Sequence, residues 1–495
     1  MHKSVATIVV VIFLNCTGSL GQRIYNFYNP GDWVSYTNTR YITSIARGFN
    51  TVYFGTTGGI LRYDIIREKW LDPLTVSDGM PENRVRRLAV DKLTDEIWVE
   101  TPRSTSYYNR TFQEWRDNEP FPADKIQQSN ISVSDLPQLF TTMGYNYFSQ
   151  GYLVDKNLMQ YPITQMLRDE PDIAWMGIWG LGAAKGDLRR DDLQLLRFGL
   201  FDADVTKLDR DGDEFWFLGG SAGMPGTITH YNRSEDSWEY FEPEREAGII
   251  SDQFYTLTHD DKYIWIGTEL GLVRLDKDSK RFKSYSHFDG IYGTQVLALL
   301  PITGNLMIGT DEGVSIFDFA HDSIYAATSP NMKGRAIHAF ALHDRTIYAG
   351  TQDGLFSLNW GGSNWQKESF GATNLNGAVN DLKVVDSLLY IAGDDGVIVV
   401  NLNDEGSKIY DRNTKFHNAD LSVLLVYQGV IWVGGSDGLF KLNRSGNWYR
   451  YSVSDGLIGG RITSLVADGD YIWIGTDKGA TRFYWKSFDR QDWLE

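Results

Sequence analysis

The sequence predicts an all-β chain: a β-propeller of tandem four-stranded blades, with ten or eleven repeat units closed as one large ring or as two rings. Three observations predict it. A GT-or-GG motif flanked by apolar alternation recurs along the chain, at residues 52–64, 264–276, 306–318, 347–359, 431–443 and 472–484. The large residue two places before its first small residue falls at Tyr53, Trp98, Trp175, Trp216, Trp265, Met307, Tyr348, Tyr390, Trp432 and Trp473, and from Trp265 onward the step is 41 or 42 residues. A period in the low forties, cut by Gly and Asp, is that of one four-stranded blade per repeat. The third observation is composition. Of 495 residues 49 are Gly, 42 % are hydrophobic and 14 % aromatic, which excludes disorder and coiled coil and suits a turn-rich β chain.

Taken in chain order, the first element is an export signal. His2 and Lys3 precede an apolar run from Val5 to Leu14, shorter than the about 20 residues of a membrane span and followed by small polar residues. Residues 1–21 read as a signal peptide, with the mature chain starting near Gln22 in the periplasm or outside the cell. Cys16, the one cysteine, follows Phe13, Leu14 and Asn15. Asn stands where a lipobox needs a small residue, so lipoprotein anchoring through Cys16 is the less favoured reading. The mature chain has no disulfide and no transmembrane segment.

Next, residues 31–45 resemble residues 446–465: an outer strand, a loop, then an inner strand. The strand around Trp33 is therefore expected to complete the last blade and to remove an exposed sheet edge. The C-terminal residues 485–495 compete for that place.

The propeller repeat region is 22–495, with irregular units over 116–200 and regular units over 201–484. Trp98 and Trp175 lie 77 residues apart, nearly two periods, and the segment from Tyr145 has strand alternation without the motif. Counted as a degenerate unit it makes eleven; discounted, ten. In the regular units the second turn carries Gly271, Gly313, Gly354, Gly438 and Gly479, where a positive φ or close backbone approach excludes a Cβ. Strands buried on both faces by neighbouring blades account for the apolar runs.

These repeats resemble the two-component regulator propeller family, common in the periplasmic sensor regions of bacterial hybrid histidine kinases. Its linker and repeat are approached by residues 79–100, and its WIGTxxGL core by Trp265 to Leu272. Glu100 departs from the pattern where Gly is expected. The resemblance implies a WD40-like propeller fold and a sensory or envelope-associated setting. The expectation for this chain is a stand-alone propeller without the kinase.

Ser221 and Ser436 each sit in a GxSxG pattern, but a nucleophile elbow needs a helix after the turn and here a strand follows. The acids from Asp209 to Glu214 read as a turn, since an EF-hand's closing Glu is missing. The 8 His include no HExxH and no close pair at zinc spacing. No catalytic residue, metal or cofactor is expected. The repeated Trp reads as packing, and the sequons at Asn109, Asn130, Asn232 and Asn443 read as surface turns.

A net charge of -17 repels a phosphate backbone, which excludes nucleic acid as a partner. The reading favoured is an exported, non-enzymatic propeller that binds a glycan or protein partner. The alternatives are a secreted polysaccharide lyase or hydrolase on the same scaffold, and a scaffold in an envelope machine. A specific site is expected where the repeat breaks. Trp179, Lys185, Arg189 and Arg190 lie in or just after an unusual second turn, and Met224 lies in the lengthened second turn of the next unit. One aromatic and three cations in an acidic protein suit an anionic or carbohydrate ligand.

Overall fold

Each regular repeat folds as expected, because alternating apolar positions fill both faces of the sheet while Gly and Asp close its turns. In the unit around Trp265 the four antiparallel strands are Phe254–His259, Tyr263–Thr268, Gly271–Asp276 and Phe282–Tyr285. The second-turn glycines hold φ between 103° and 153°, closed to other residues without strain. The structure, a computed structural model, describes residues 28–487 apart from 133–135, 137–140, 143, 149, 170, 221–223, 371–374, 376 and 444. The signal peptide, Cys16 and Ser221 lie outside the described residues.

Ten sheets form among the described residues. Seven make a closed ring: the inner strands starting at Val205, Phe254, Val296, Ile337, Val379, Leu421 and Ile462 pack each on the next, and the last packs on the first. Across that closure Thr463 Oγ1 donates to the Val205 carbonyl at 2.5 Å, and the Leu208 amide donates to Ser464 Oγ at 3.1 Å. The seventh blade takes its outer strand from the N-terminal side. Trp33–Tyr36 pairs antiparallel with Gly479–Tyr484, from Trp33 opposite Phe483 to Tyr36 opposite Ala480. The closure expected from residues 31–45 is therefore the one formed, while Trp485 is buried against Trp432 instead of competing for the edge.

The other three sheets form an arc inserted between that outer strand and the first inner strand of the ring. In sequence they start at Ile42, Arg87 and Thr141. In space the sheet starting at Ile42 is the middle one, and its inner strand packs on both others. The ten sheets thus make one complete ring of seven and one incomplete ring of three. The segment near Tyr147 is not a blade of its own. Tyr145–Phe148 and Tyr152–Val154 add to the edge of Gln160–Asp169, the inner strand of the next unit, giving a seven-stranded sheet that curls until Thr141 meets Asp192. That ten-residue strand pairs first with Tyr152–Val154 and then with Ile173–Ile178.

The glycine of the WIGT motif has a tertiary cause. A Cβ on Gly267 would stand 2.4 Å from the Val296 carbonyl of the next blade, and one on Gly177 would stand 2.4 Å from Ile42 Cγ2. Both are well inside contact distance, so a side chain there would push the blades apart. The motif's Trp is buried at 175, 216, 265, 432 and 473. At three of these its indole N–H reaches a carboxylate at the end of the inner strand or in the turn after it: Asp169, Asp260 and Asp468, at 3.2, 2.6 and 3.2 Å.

Two connectors tie arc to ring and lie side by side. The Leu200 amide donates to the Thr37 carbonyl at 3.0 Å, and Thr39 Oγ1 donates to the Phe198 carbonyl at 2.8 Å. Around them one apolar cluster spans both bodies, with Phe54, Trp70 and Trp175 from the arc and Tyr36, Phe215, Trp238 and Trp473 from the ring.

Candidate functional site

The connectors set the site, because they place polar residues where neither ring nor arc repeats itself. Thr37 to Tyr41 brings Arg40 and Tyr41 to the second turn of the curled sheet. There the Gly180 amide donates to the Arg40 carbonyl at 3.1 Å, Arg40 Nη1 donates back to the Gly180 carbonyl at 3.2 Å, and Tyr41 bridges Trp179. Gly180 adopts φ of 92° with Tyr161 packed beneath it, 3.2 Å from where a Cβ would stand. The second connector supplies Arg197 and Phe201. Behind it Tyr240, from the first ring blade, donates to the Gly199 carbonyl at 3.0 Å.

Arg40, Gly180, Arg197, Phe201 and Tyr240 line a cavity of about 40 Å³, together with Tyr145, Tyr161 and Glu242. Arg40 lies 3.2 Å over the Phe201 ring centroid, and Arg197 lies 5.5 Å from that of Tyr240. A third arginine ties two of the lining residues together. Arg245 bonds Asp155 at 2.6 Å, the Tyr161 hydroxyl at 2.8 Å and Glu242 at 3.1 Å, which fastens the ring to the curled sheet. Burial pushes the Glu242 carboxyl up and the Tyr161 and Tyr240 hydroxyls up to about 12. Burial also lifts the Asp202 carboxyl to about 6, against the bond it accepts from the Thr227 amide and the nearby Arg40 charge.

Of the residues singled out in the sequence, Trp179 comes nearest to this cavity, as the chain neighbour of the lining residue Gly180. Its ring is 40 % exposed, 5.0 Å from that of Tyr41. The others are elsewhere. Lys185 lies within the strand Gly182–Asp187, where Nζ pairs with Glu68 of the middle arc sheet at 2.8 Å and holds that carboxyl below its usual range. Arg189 and Arg190 occupy the following turn, at the other end of that strand, paired with Asp172 and Asp187. They do not share a wall with Trp179, because six strand residues separate the two turns by roughly 20 Å. Met224 is exposed, and its carbonyl accepts from Gln253 Nε2 of the next ring blade at 2.8 Å, so its turn leans on the ring.

Sequence reasoning missed Arg40, Arg197, Phe201 and Tyr240. Their one signal was position: the two arginines and Phe201 fall on the connectors, outside any strand of the repeat. Other motifs resolve as structure. Ser436 sits in the turn between Val430–Gly435 and Gly438–Leu442, where Oγ accepts from the Asp420 amide. Asp209, Asp211 and Asp213 pair with His259, Lys277 and Arg233. No group of three metal-ligating side chains is found among the described residues.

Two larger hollows differ from this one in having their arginines engaged. A seam of about 600 Å³ runs between the closing strand, residues 453–456 and the outer parts of the arc, where Arg62 donates to the Asp72 carbonyl and Arg110 pairs with Asp95. A rim groove of about 520 Å³ lies over Trp265, where Arg274 pairs with Asp322.

No family model matches the chain, and no curated protein matches it. Solved structures do. PorZ, an essential surface component of the type-IX secretion system of Porphyromonas gingivalis, superposes with a TM-score of 0.50 at 14 % identity, over 90 % of this chain and 74 % of that one. The extracellular domain of BT4673 from B. thetaiotaomicron gives 0.48 at 16 % identity, over 89 % and 70 %. A virginiamycin B lyase from Staphylococcus aureus gives 0.47 at 13 %, over 58 % of this chain and 97 % of that one. At these identities what the chain shares with PorZ is the fold, a propeller of tandem four-stranded blades.

Proposed function

We propose that this chain is an exported, non-enzymatic β-propeller that binds a ligand or a protein partner where arc meets ring, around Trp179. The observation that carries the reading is the placement of Trp179. The second-strand tryptophans at 175, 216, 265, 432 and 473 are buried in packing, whereas Trp179 sits in a turn with 40 % of its surface exposed, next in the chain to Gly180 of a polar cavity. Exposed aromatics next to polar groups are common binding anchors. The acids nearby support binding over catalysis, since Asp155 and Glu242 are tied to Arg245 and Asp202 to the Thr227 amide. Export follows from the apolar run Val5 to Leu14 behind Lys3, and PorZ, with the same fold, is a bacterial surface component. No helix among the described residues is long and apolar enough to cross a membrane.

The test is a screen of mature protein against immobilised glycans and envelope extract, repeated with Trp179→Ala. A captured ligand should lose at least about tenfold in affinity, within the range of an aromatic anchor, with thermal stability unchanged. Full binding by a folded Trp179→Ala variant would place the site elsewhere.

A further inference from the structure

The cavity beside Trp179 holds two arginines whose charges have no ion-pair partner among the described residues. Arg40 spends one N–H on the Gly180 carbonyl, while its Nε is buried and finds no acceptor among those residues. A guanidinium carries five N–H donors, and buried donors are ordinarily paired. Arg197, lining the same cavity, makes no hydrogen bond or ion pair among the described residues and rests against the Tyr240 face. Two acids feel these charges without forming an ion pair with them: Glu242, which lines the same cavity and pairs through Oε1 with Arg245 Nε at 3.1 Å, and Asp202, whose Oδ2 accepts from the Thr227 amide at 2.8 Å.

We propose that Arg40 and Arg197 receive an oxyanion, the carboxylate or sulfate group of the ligand, and that the exposed ring of Trp179, next in the chain to the lining residue Gly180, contacts the rest of it. This rests on the reading that the Trp179 cleft is the binding site. Size is compatible with the assignment: about 40 Å³ has room for a few waters or one small charged group. Planar guanidinium forks match both groups through paired N–H···O bonds, and Phe201 and Tyr240 fix the arginines so that little side-chain freedom is lost on binding.

The probes are sodium sulfate and sodium acetate, added to the full mature chain at constant ionic strength set with chloride and read by thermal melting. The expected result is a saturable rise in Tm with one of the two, which then names the group. Its midpoint concentration should rise at least tenfold in Arg197→Gln and Arg40→Gln, and stay put in Arg190→Gln, whose side chain is remote. Sulfate also stabilises proteins by exclusion from their surface, but that rise is unsaturable and identical in all variants, and such a result overturns the proposal. Because Arg197 makes no hydrogen bond, Arg197→Gln keeps the fold and decides the matter alone if Arg40→Gln does not fold. A captured ligand that is lost with Trp179→Ala but bound equally well by Arg197→Gln overturns the oxyanion receptor and leaves the binding function standing.

Discussion

At the scale of single residues, burial decides more than residue type. The same Trp repeats along the chain, yet its indole is buried at 265, bonded to Asp260, and only partly covered at 98, where Lys125 lies 4.6 Å over the ring. Asp78 shows the effect on charge. It closes a capping box after the fourth strand of the middle arc sheet, accepting from the Thr75 amide at 3.0 Å, and burial lifts its carboxyl to about 7. The folded state therefore holds a proton that the unfolded chain releases above about pH 4. Its contribution is complete below that pH and is lost as pH rises through about 7. Asp78→Asn keeps the acceptor without the charge. Its stability by urea unfolding should match the wild type near pH 4 and exceed it at pH 8, by no more than about 4 kcal/mol at 1.4 kcal/mol per unit. Parallel pH curves for the two proteins would contradict this. The S/T-x-x-D-G run that makes this box recurs at Ser286 and Ser452; it was readable in the sequence, but as a box it needs the backbone turn that the blade supplies.

At the scale of elements, strands and second turns were legible because period-two alternation and glycine act locally. The bulge near the start of each ring inner strand, between Val205 and Lys207 and at the equivalent places, was not. In several blades its extra residue bonds the neighbouring one, as Ser422 Oγ does to the Ile462 carbonyl at 2.8 Å and Asn380 Nδ2 to the Leu421 carbonyl at 2.7 Å, so there its partner lies about 40 residues away. The closing strand was legible as a missing partner. Trp33 stacks on Phe483 at 3.7 Å and meets Tyr451 edge-on, and all four residues of the strand are buried. Trp33→Ala should cost about 3–5 kcal/mol, as large-to-small core changes do. Replacing residues 33–36 by Gly and Ser should in addition leave an open edge that self-associates, measurable by sedimentation. A monomer of wild-type stability would show that the edge is sealed some other way.

At the scale of the whole molecule, the arc and the ring share one core. Phe198 of the connector touches Trp70 of the arc and Tyr36 and Trp238 of the ring within 6.0 Å. The two bodies should therefore unfold together, giving one calorimetric transition whose van't Hoff and calorimetric enthalpies agree; two resolved transitions would mean that the shared cluster does not couple them. The site is a product of the same arrangement, since Arg40 and Arg197 are 157 positions apart and meet only because the connectors run side by side. By itself the sequence determined the blades, their turns, the closing strand and the break near Trp179, because each depends on contacts repeated within one period or on a visibly absent partner. How ten units divide into seven and three was decided by tertiary structure alone. Every blade offers its neighbours nearly the same faces, so the repeat carries no count, and closure falls where Thr463 finds Val205 across the ring.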